Sequence, residues 1–388
     1  MPTPFDLLIG GIPRFEAESA WAWRLARRWA RRLPARRFVE RPRVRPTVGD
    51  LEGESPIVLV HADPEAYLAP LAARRLLAAV EAGGADVVVP VSNEPGSVET
   101  RGDPPFAYQT PALLEEAAAA VAARGGALRA GVAARSPVFA ARRAAVASMP
   151  PGTFLDEVVA EASRAGRSVA VDPGAYLHRY GEMDGQARED LAARVPAGAR
   201  SVLDVGCSRG ATGPALRQAG VAEIFGIEPD PGDAEQAAGV YDRVLREPLE
   251  AIRDEFPGRF DAVLFGDVLE HLEDPAAALA RVRPWLSASG VVVASVPNVG
   301  HWSVIADLIE GRFEYVPYSI LSGTHVRFFT RQTLRDLFEA CGYRVRAIDA
   351  VLSPPSPQGA ARLAALARFP GASSDLDAVE FLAVASPA

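Results

Sequence analysis

The chain has 388 residues, 49% of them hydrophobic, with a net charge of −8 and two cysteines. That is enough material for two cored domains. It excludes a generic nucleic-acid binder, which needs a basic surface, and a disulfide framework. No apolar run reaches the length of a membrane span, and no basic-then-apolar leader opens the sequence, so a cytoplasmic protein without a transmembrane segment is expected. Arginine carries the basic charge without a single lysine, which rules out Schiff-base and P-loop lysine chemistry.

The first half alternates apolar strands with alanine-rich helices. Strands are predicted at Phe5–Ile9, Pro56–Val60 and Ala85–Pro90, and helices at Leu68–Ala82 and Pro111–Ala123. This is an α/β layered pattern. An arginine-rich helix is predicted over 17–37, with Trp21, Leu25 and Trp29 four apart on one face. That stripe reads as packing against a sheet rather than as a membrane or polyanion surface. Residues 41–55 read as a loop. The run from Pro56 through His61-Ala-Asp63, Gly84–Pro90, Ser136–Arg143, Gly152–Glu157 and Ala165–Ala170 to His178 resembles a GT-A glycosyltransferase domain. An active enzyme of that kind needs paired carboxylates for a divalent metal. Here the matching strand end offers Asp63 alone, and Asp156-Glu157 reads as the acidic first turn of a helix. Residues 1–180 are therefore expected to form a degenerate, catalytically silent GT-A-like domain, with the boundary near Gly181–Gly185.

The second half opens on the most informative run of the chain, Val202-Leu-Asp-Val-Gly-Cys-Ser-Arg-Gly-Ala-Thr-Gly213. An apolar strand ends near Asp204, turns at Gly206 and enters a helix near Gly210, which is how a Rossmann-like sheet presents a cofactor site. A dinucleotide fingerprint would put glycine at 206, 208 and 211; the chain has Ser208 and Ala211. A carboxylate just before the turn would repel a phosphate but suits a ligand with a cationic amino group and a sulfonium, S-adenosylmethionine (SAM). The next strand, Glu223–Glu228, ends in the acid expected to accept hydrogen bonds from ribose hydroxyls.

A third strand from Phe260 leads into a loop with Asp267, Glu270 and His271, and Asp274-Pro275 starts a helix. A fourth strand, Val291–Asn298, closes on Pro-Asn. Thr330 reads as the N-cap of a helix that Gly342 stops. The Pro-rich stretch Ser353–Gln358 reads as a surface loop between the last two strands.

Together these segments look like a class I SAM-dependent methyltransferase. The runs Ser295–Trp302, Leu308–Tyr315 and Thr324–Thr330 are similar to methyltransferase domains of bacterial polysaccharide and glycan gene products. The resemblance spans about residues 180–388. It implies a Rossmann-like seven-stranded domain over 181–388 that uses SAM and no metal. It places the cofactor against Asp204, Gly206, Cys207, Gly210, Glu228, Leu249, Asp267 and Val268. It implies a sugar or glycan-conjugate acceptor near Asn298, Tyr315 and Arg327, and a catalytic base among His301, His325 and His271. Ser208 stands where the family usually has glycine, Leu321–His325 lacks an aspartate usual before Thr-His, and Arg246-Glu-Pro-Leu249 occupies the region where an adenine-side acid is usual. A small aromatic or quinone-like acceptor, or a non-catalytic glycan- or nucleotide-binding protein with a relict site, are the alternatives.

Overall fold

The structure is a computed structural model that describes residues 3–11, 24, 27–28, 30–63, 66–93, 102, 104, 107–130, 136–179, 186–253 and 255–388. The Trp21–Leu25–Trp29 stripe and the expected boundary at Gly181–Gly185 lie outside the described residues. The chain divides into two compact units, one of Met1–Glu182 with Phe313–Gly323, the other of Met183–Arg312 with Thr324–Ala388. The Phe313–Gly323 segment, expected to be part of the second domain, thus groups with the first unit. There Ser319 Oγ donates to the Gln109 backbone carbonyl at 3.1 Å.

The first unit holds β1 (Phe5–Gly11), β2 (Arg37–Pro42), β3 (Ile57–His61), β4 (Ala66–Leu68), β5 (Val87–Ser92), β6 (Arg129–Ala130), β7 (Val138–Arg142) and β8 (Val169–Arg179). They form one mixed sheet of order β2-β1-β3-β7-β5-β8-β4, with β6 paired to β8. Strand β7 runs antiparallel to both β3 and β5. The long helices α1 (Pro70–Glu81) and α2 (Pro111–Arg124) are those the sequence predicts to within two residues. Both start on proline, whose missing N–H costs nothing at a first helical position.

The second unit holds β9 (Ser201–Val205), β10 (Glu223–Ile227), β11 (Arg243–Leu245), β12 (Phe260–Gly266), β13 (Leu286–Pro297), β14 (Tyr343–Leu352) and β15 (Ala378–Pro387). The seven strands lie in the order β11-β10-β9-β12-β13-β15-β14. The first five are parallel, and β15 runs antiparallel to β13 and β14. From β9 the chain first builds outward through β10 and β11, then returns to build through β12 and β13 on the other side. Side chains of such strands alternate between faces. Leu203, Val205, Phe225, Ile227, Val263 and Phe265 pack in one apolar cluster. Val202, Ile224, Ala262, Leu264 and Val293 pack in the other. Burial on both faces explains why the strands read as unbroken apolar runs.

Helices α3 (Gly213–Gln218), α4 (Pro231–Ala237), α5 (Pro275–Val282), α6 (Trp302–Ile309) and α7 (Arg331–Ala340) connect these strands. Asp274 caps α5 by accepting from Ala277 N–H, and Thr330 caps α7 by accepting from Thr333 N–H, as the sequence predicts. The Ser353–Gln358 stretch is a loop only in part. Ser356 caps a further helix, α8 (Pro357–Leu366), because a Ser-Pro pair starts helices as readily as it interrupts them.

Trp285 is fully buried between α5 and β13, edge-to-face with Phe256 and donating from its indole to Glu255. Trp285→Ala is expected to lower the unfolding free energy by about 3–5 kcal/mol, through the cavity and the lost indole partner. Denaturant unfolding of the two proteins measures it.

Candidate active site

The order in which the chain adds strands reverses between the parallel neighbours β9 and β12, and the crevice beyond the C-terminal ends of strands at such a point is the usual ligand position in an open α/β sheet. The turn after β9 is shaped for close approach. Gly206 has φ +70°, and a Cβ there would lie 2.6 Å from Val268 Cγ2. Gly206 N–H donates to the Ile227 carbonyl at 2.8 Å, tying the turn to the end of β10. Ser208, where the family usually has glycine, is held at φ +44°. Its hydroxyl donates to Asp233 at 3.1 Å, which fixes a conformation that costs an L-residue energy.

Two carboxylates flank this turn. Asp204 is 6% exposed and accepts a 2.6 Å hydrogen bond from Tyr241 OH. Burial raises its pKa to about 6. Glu228, also buried, accepts from the backbone N–H of Ser208 at 2.9 Å and of Asp230 at 2.8 Å. Burial pushes its pKa up as well, against those two hydrogen bonds. Each of its oxygens retains a second lone pair. Cys207 is buried beside the turn, and its thiol is pushed up by burial and by Asp204 and Glu228. Gly210 lies in the same turn at φ +78°, and Leu249 is buried in a short 3-10 turn.

Beyond β12, Asp267 is exposed and held at φ +54°. Its backbone N–H donates to Ser295 Oγ at 2.9 Å. Arg188 pairs with the Asp267 carboxylate and donates to Ser295 Oγ at 2.9 Å, Asp190 at 2.9 Å and Glu380 at 2.6 Å. One guanidinium therefore balances three acids. Val268 is half-buried and covers Gly206.

Glu270 follows, 1% exposed. Neither side-chain oxygen has a hydrogen-bond partner among the described residues. Its backbone carbonyl accepts from Val326 and Arg327 N–H at 2.9 and 3.0 Å, which clips the Thr324–Thr330 segment onto this loop. His271, exposed, and His325, half-buried, meet edge-to-face with ring centroids 4.8 Å apart. Burial, reinforced by Asp267, drives the Glu270 carboxyl well above its usual range.

The other expected site residues fall elsewhere or are otherwise engaged. His301 is not in an open loop. It is the buried N-cap of α6, with Nδ1 2.7 Å from Ser303 Oγ, and burial lowers its pKa to about 4. Asn298 spends its amide on the backbone. It donates to the Asp375 and Ala378 carbonyls at 3.0 and 2.8 Å and accepts from Gly300 N–H at 2.9 Å. Arg327 turns back to the backbone carbonyls of Val326 and Glu273, clasping the loop. Tyr315 lies in the Phe313–Gly323 segment, edge-to-face with Phe313. Tyr241, Arg188 and Glu270 escaped the sequence reading as site residues. Only Glu270 left a signal, as an acid beside a histidine just after a strand.

Residues 175–348 match the profile of a family described as a methyltransferase domain. The ubiquinone biosynthesis O-methyltransferase of Methylococcus capsulatus is 29% identical over 168 residues, 39% of this chain and 70% of that protein. The enzyme of the same name from Cereibacter sphaeroides is 31% identical over 164 residues, 39% of this chain and 64% of that protein. A SAM-dependent methyltransferase structure from Archaeoglobus fulgidus is 20% identical, with a TM-score of 0.39 over 51% of this chain and 94% of its own. The second half of the chain is thus a methyltransferase domain of the α/β class. Its methyl donor is S-adenosyl-L-methionine.

Gly206→Ala is expected to destabilise by about 1–3 kcal/mol, from positive-φ strain and the clash with Val268. Gly258→Ala has comparable φ, +66°, and nothing within 4 Å, so it carries the strain alone. The difference between the two unfolding free energies measures the close approach; equal losses would remove it.

Proposed function

We propose that the chain is a SAM-dependent O-methyltransferase acting on a hydroxyl of a sugar or glycan conjugate. The observation that carries the SAM-facing part is the pair Asp204 and Glu228. They are buried carboxylates at the ends of neighbouring strands, and among the described residues no arginine is bonded to either. Such a pair suits a ligand that brings its own positive charge and two hydroxyls. Asp204 would face the cationic amino end and Glu228 the ribose. Gly206, Cys207 and Gly210 would let the backbone approach, and Leu249, Asp267 and Val268 would line the adenine side. Bound there, SAM supplies an electrophilic methyl group, which the acceptor oxygen takes while the carbon–sulfur bonding pair stays on sulfur.

The chain's part is alignment, exclusion of water and removal of the hydroxyl proton. The His271–His325 pair beside Glu270 is the better placed base, because His301 is buried as a helix cap. The sugar acceptor is supported by the motif runs Ser295–Trp302 and Thr324–Thr330 and by the resemblance of the first half to a glycan-handling domain. In that half Asp63 pairs with Arg179, and Asp156 and Glu157 both accept from Arg45. These acids are held by arginine, in keeping with a silent domain. A second reading, a phenolic quinone-like acceptor, is favoured by the names of the relatives.

Radiolabelled methyl transfer from SAM to a panel of sugar nucleotides, oligosaccharides and catechols distinguishes the two acceptors. Label on the catechols alone would overturn the sugar reading. In calorimetry with S-adenosylhomocysteine, Glu228→Gln should weaken binding by about 1.5–3 kcal/mol. Asp204 has a folded-state pKa of about 6 against an ordinary value of 3.8, and only its ionised form attracts an ammonium group. Affinity should therefore rise about tenfold between about pH 5 and about pH 7, then level off. Asp204→Asn should bind weakly with no such rise. The first half should release no UDP or GDP from sugar nucleotides with manganese, a direct assay for residual transferase activity.

A further inference from the structure

We propose that Glu270, His271 and His325 form a binding site for one divalent transition cation, beside the cofactor crevice. One potential ligand atom from each side chain lies within 4.8 Å of the other two. Donors around a cation at about 2.1 Å stand about 3–3.5 Å apart, so the set closes with a contraction of little more than about 1 Å. The exposed side chain of His271 can supply it by rotation.

The second observation is the condition of Glu270. A carboxylate that is 1% exposed, with both oxygens unpartnered among the described residues, is costly unless something pairs with it. In the first unit, buried Asp63 is answered by Arg179 and buried Asp6 by Arg143. Near Glu270, Arg188 is taken up by Asp190, Asp267 and Glu380. A cation is the natural complement, and two imidazoles with one carboxylate suit zinc or manganese rather than magnesium or calcium.

The backbone holds the three together. Glu270 and His271 sit in one 3-10 turn after β12, and the Glu270 carbonyl accepts from Val326 and Arg327 N–H, which fixes His325 next to it. With three protein ligands, the cation keeps open positions. The inference rests on the O-methyltransferase reading for its purpose: an acceptor hydroxyl bound at an open position would lose its proton to water more readily. The three residues would then act as a ligand set rather than one histidine acting as a free base.

The test uses the full chain, stripped of metal with a chelator and dialysed, titrated calorimetrically with zinc chloride and with manganese chloride. S-adenosylhomocysteine binding and a melting curve are measured on the same samples. The expected result is one saturable equivalent in the wild type, weakened at least tenfold in His271→Ala, His325→Ala and Glu270→Gln. His271 is exposed, so His271→Ala should keep its melting temperature and its S-adenosylhomocysteine affinity. Absence of a stoichiometric site in the wild type overturns the proposal. So does binding unchanged in His271→Ala and His325→Ala, which would mean an adventitious ion only. Cation binding without S-adenosylhomocysteine binding would leave the site standing and overturn the cofactor assignment instead; the reverse would overturn the site alone.

Discussion

Buried carboxylates with no bonded counter-charge among the described residues are the constraint on which the second unit turns. Asp204, Glu228 and Glu270 are all buried at the C-terminal edge of one sheet, and burial raises the pKa of each. A chain with 41 basic residues, every one an arginine, had ample means to pair them. It pairs the neighbouring acids instead, through Arg188. Among the described residues the three carboxylates are left to hydroxyl and backbone donors, or to none. Burying an ion this way costs stability, and under the proposed function a positively charged ligand would offset that cost.

The rest of the unit makes that arrangement tolerable. Parallel strands buried on both faces give a stiff platform, and the strand order reverses between β9 and β12, where an open α/β sheet takes its ligand. Gly206 allows the turn to lie against Val268, and Arg188 anchors the loop after β12 to β13 and β15. Each of these fixes backbone near a carboxylate. The charges are thereby held in place before any ligand arrives, which is what preorganisation requires.

Much of this was legible in the sequence. The strands of the second unit appear as apolar runs ending in Asp204, Glu228 and Pro297-Asn298, and the caps at Asp274 and Thr330 are local signals with local causes. What could not be read was set by distant partners. Tyr241 meets Asp204 across 37 positions, and Arg188 meets Glu380 across 192. Asn298 looked available because its position in a turn is local information, whereas its partners Asp375 and Ala378 arrive from far along the chain. The placement of His301 was ambiguous for a similar reason: a histidine after a strand fits a site loop and a helix cap equally well.

The strand order has a consequence for how this unit comes into being. Strand β15 lies between β13 and β14, although it follows both in the chain. As the polypeptide leaves the ribosome, β13 and β14 emerge before the strand that joins them, each with an unpaired edge. The nascent unit therefore passes through a stage with open β-edges, a template for pairing with other chains. The Glu380 anchor of Arg188 arrives with the same strand. Sheet closure and tethering of the loop after β12 thus belong to one late event, and a chain stalled before it would display the crevice without its final brace.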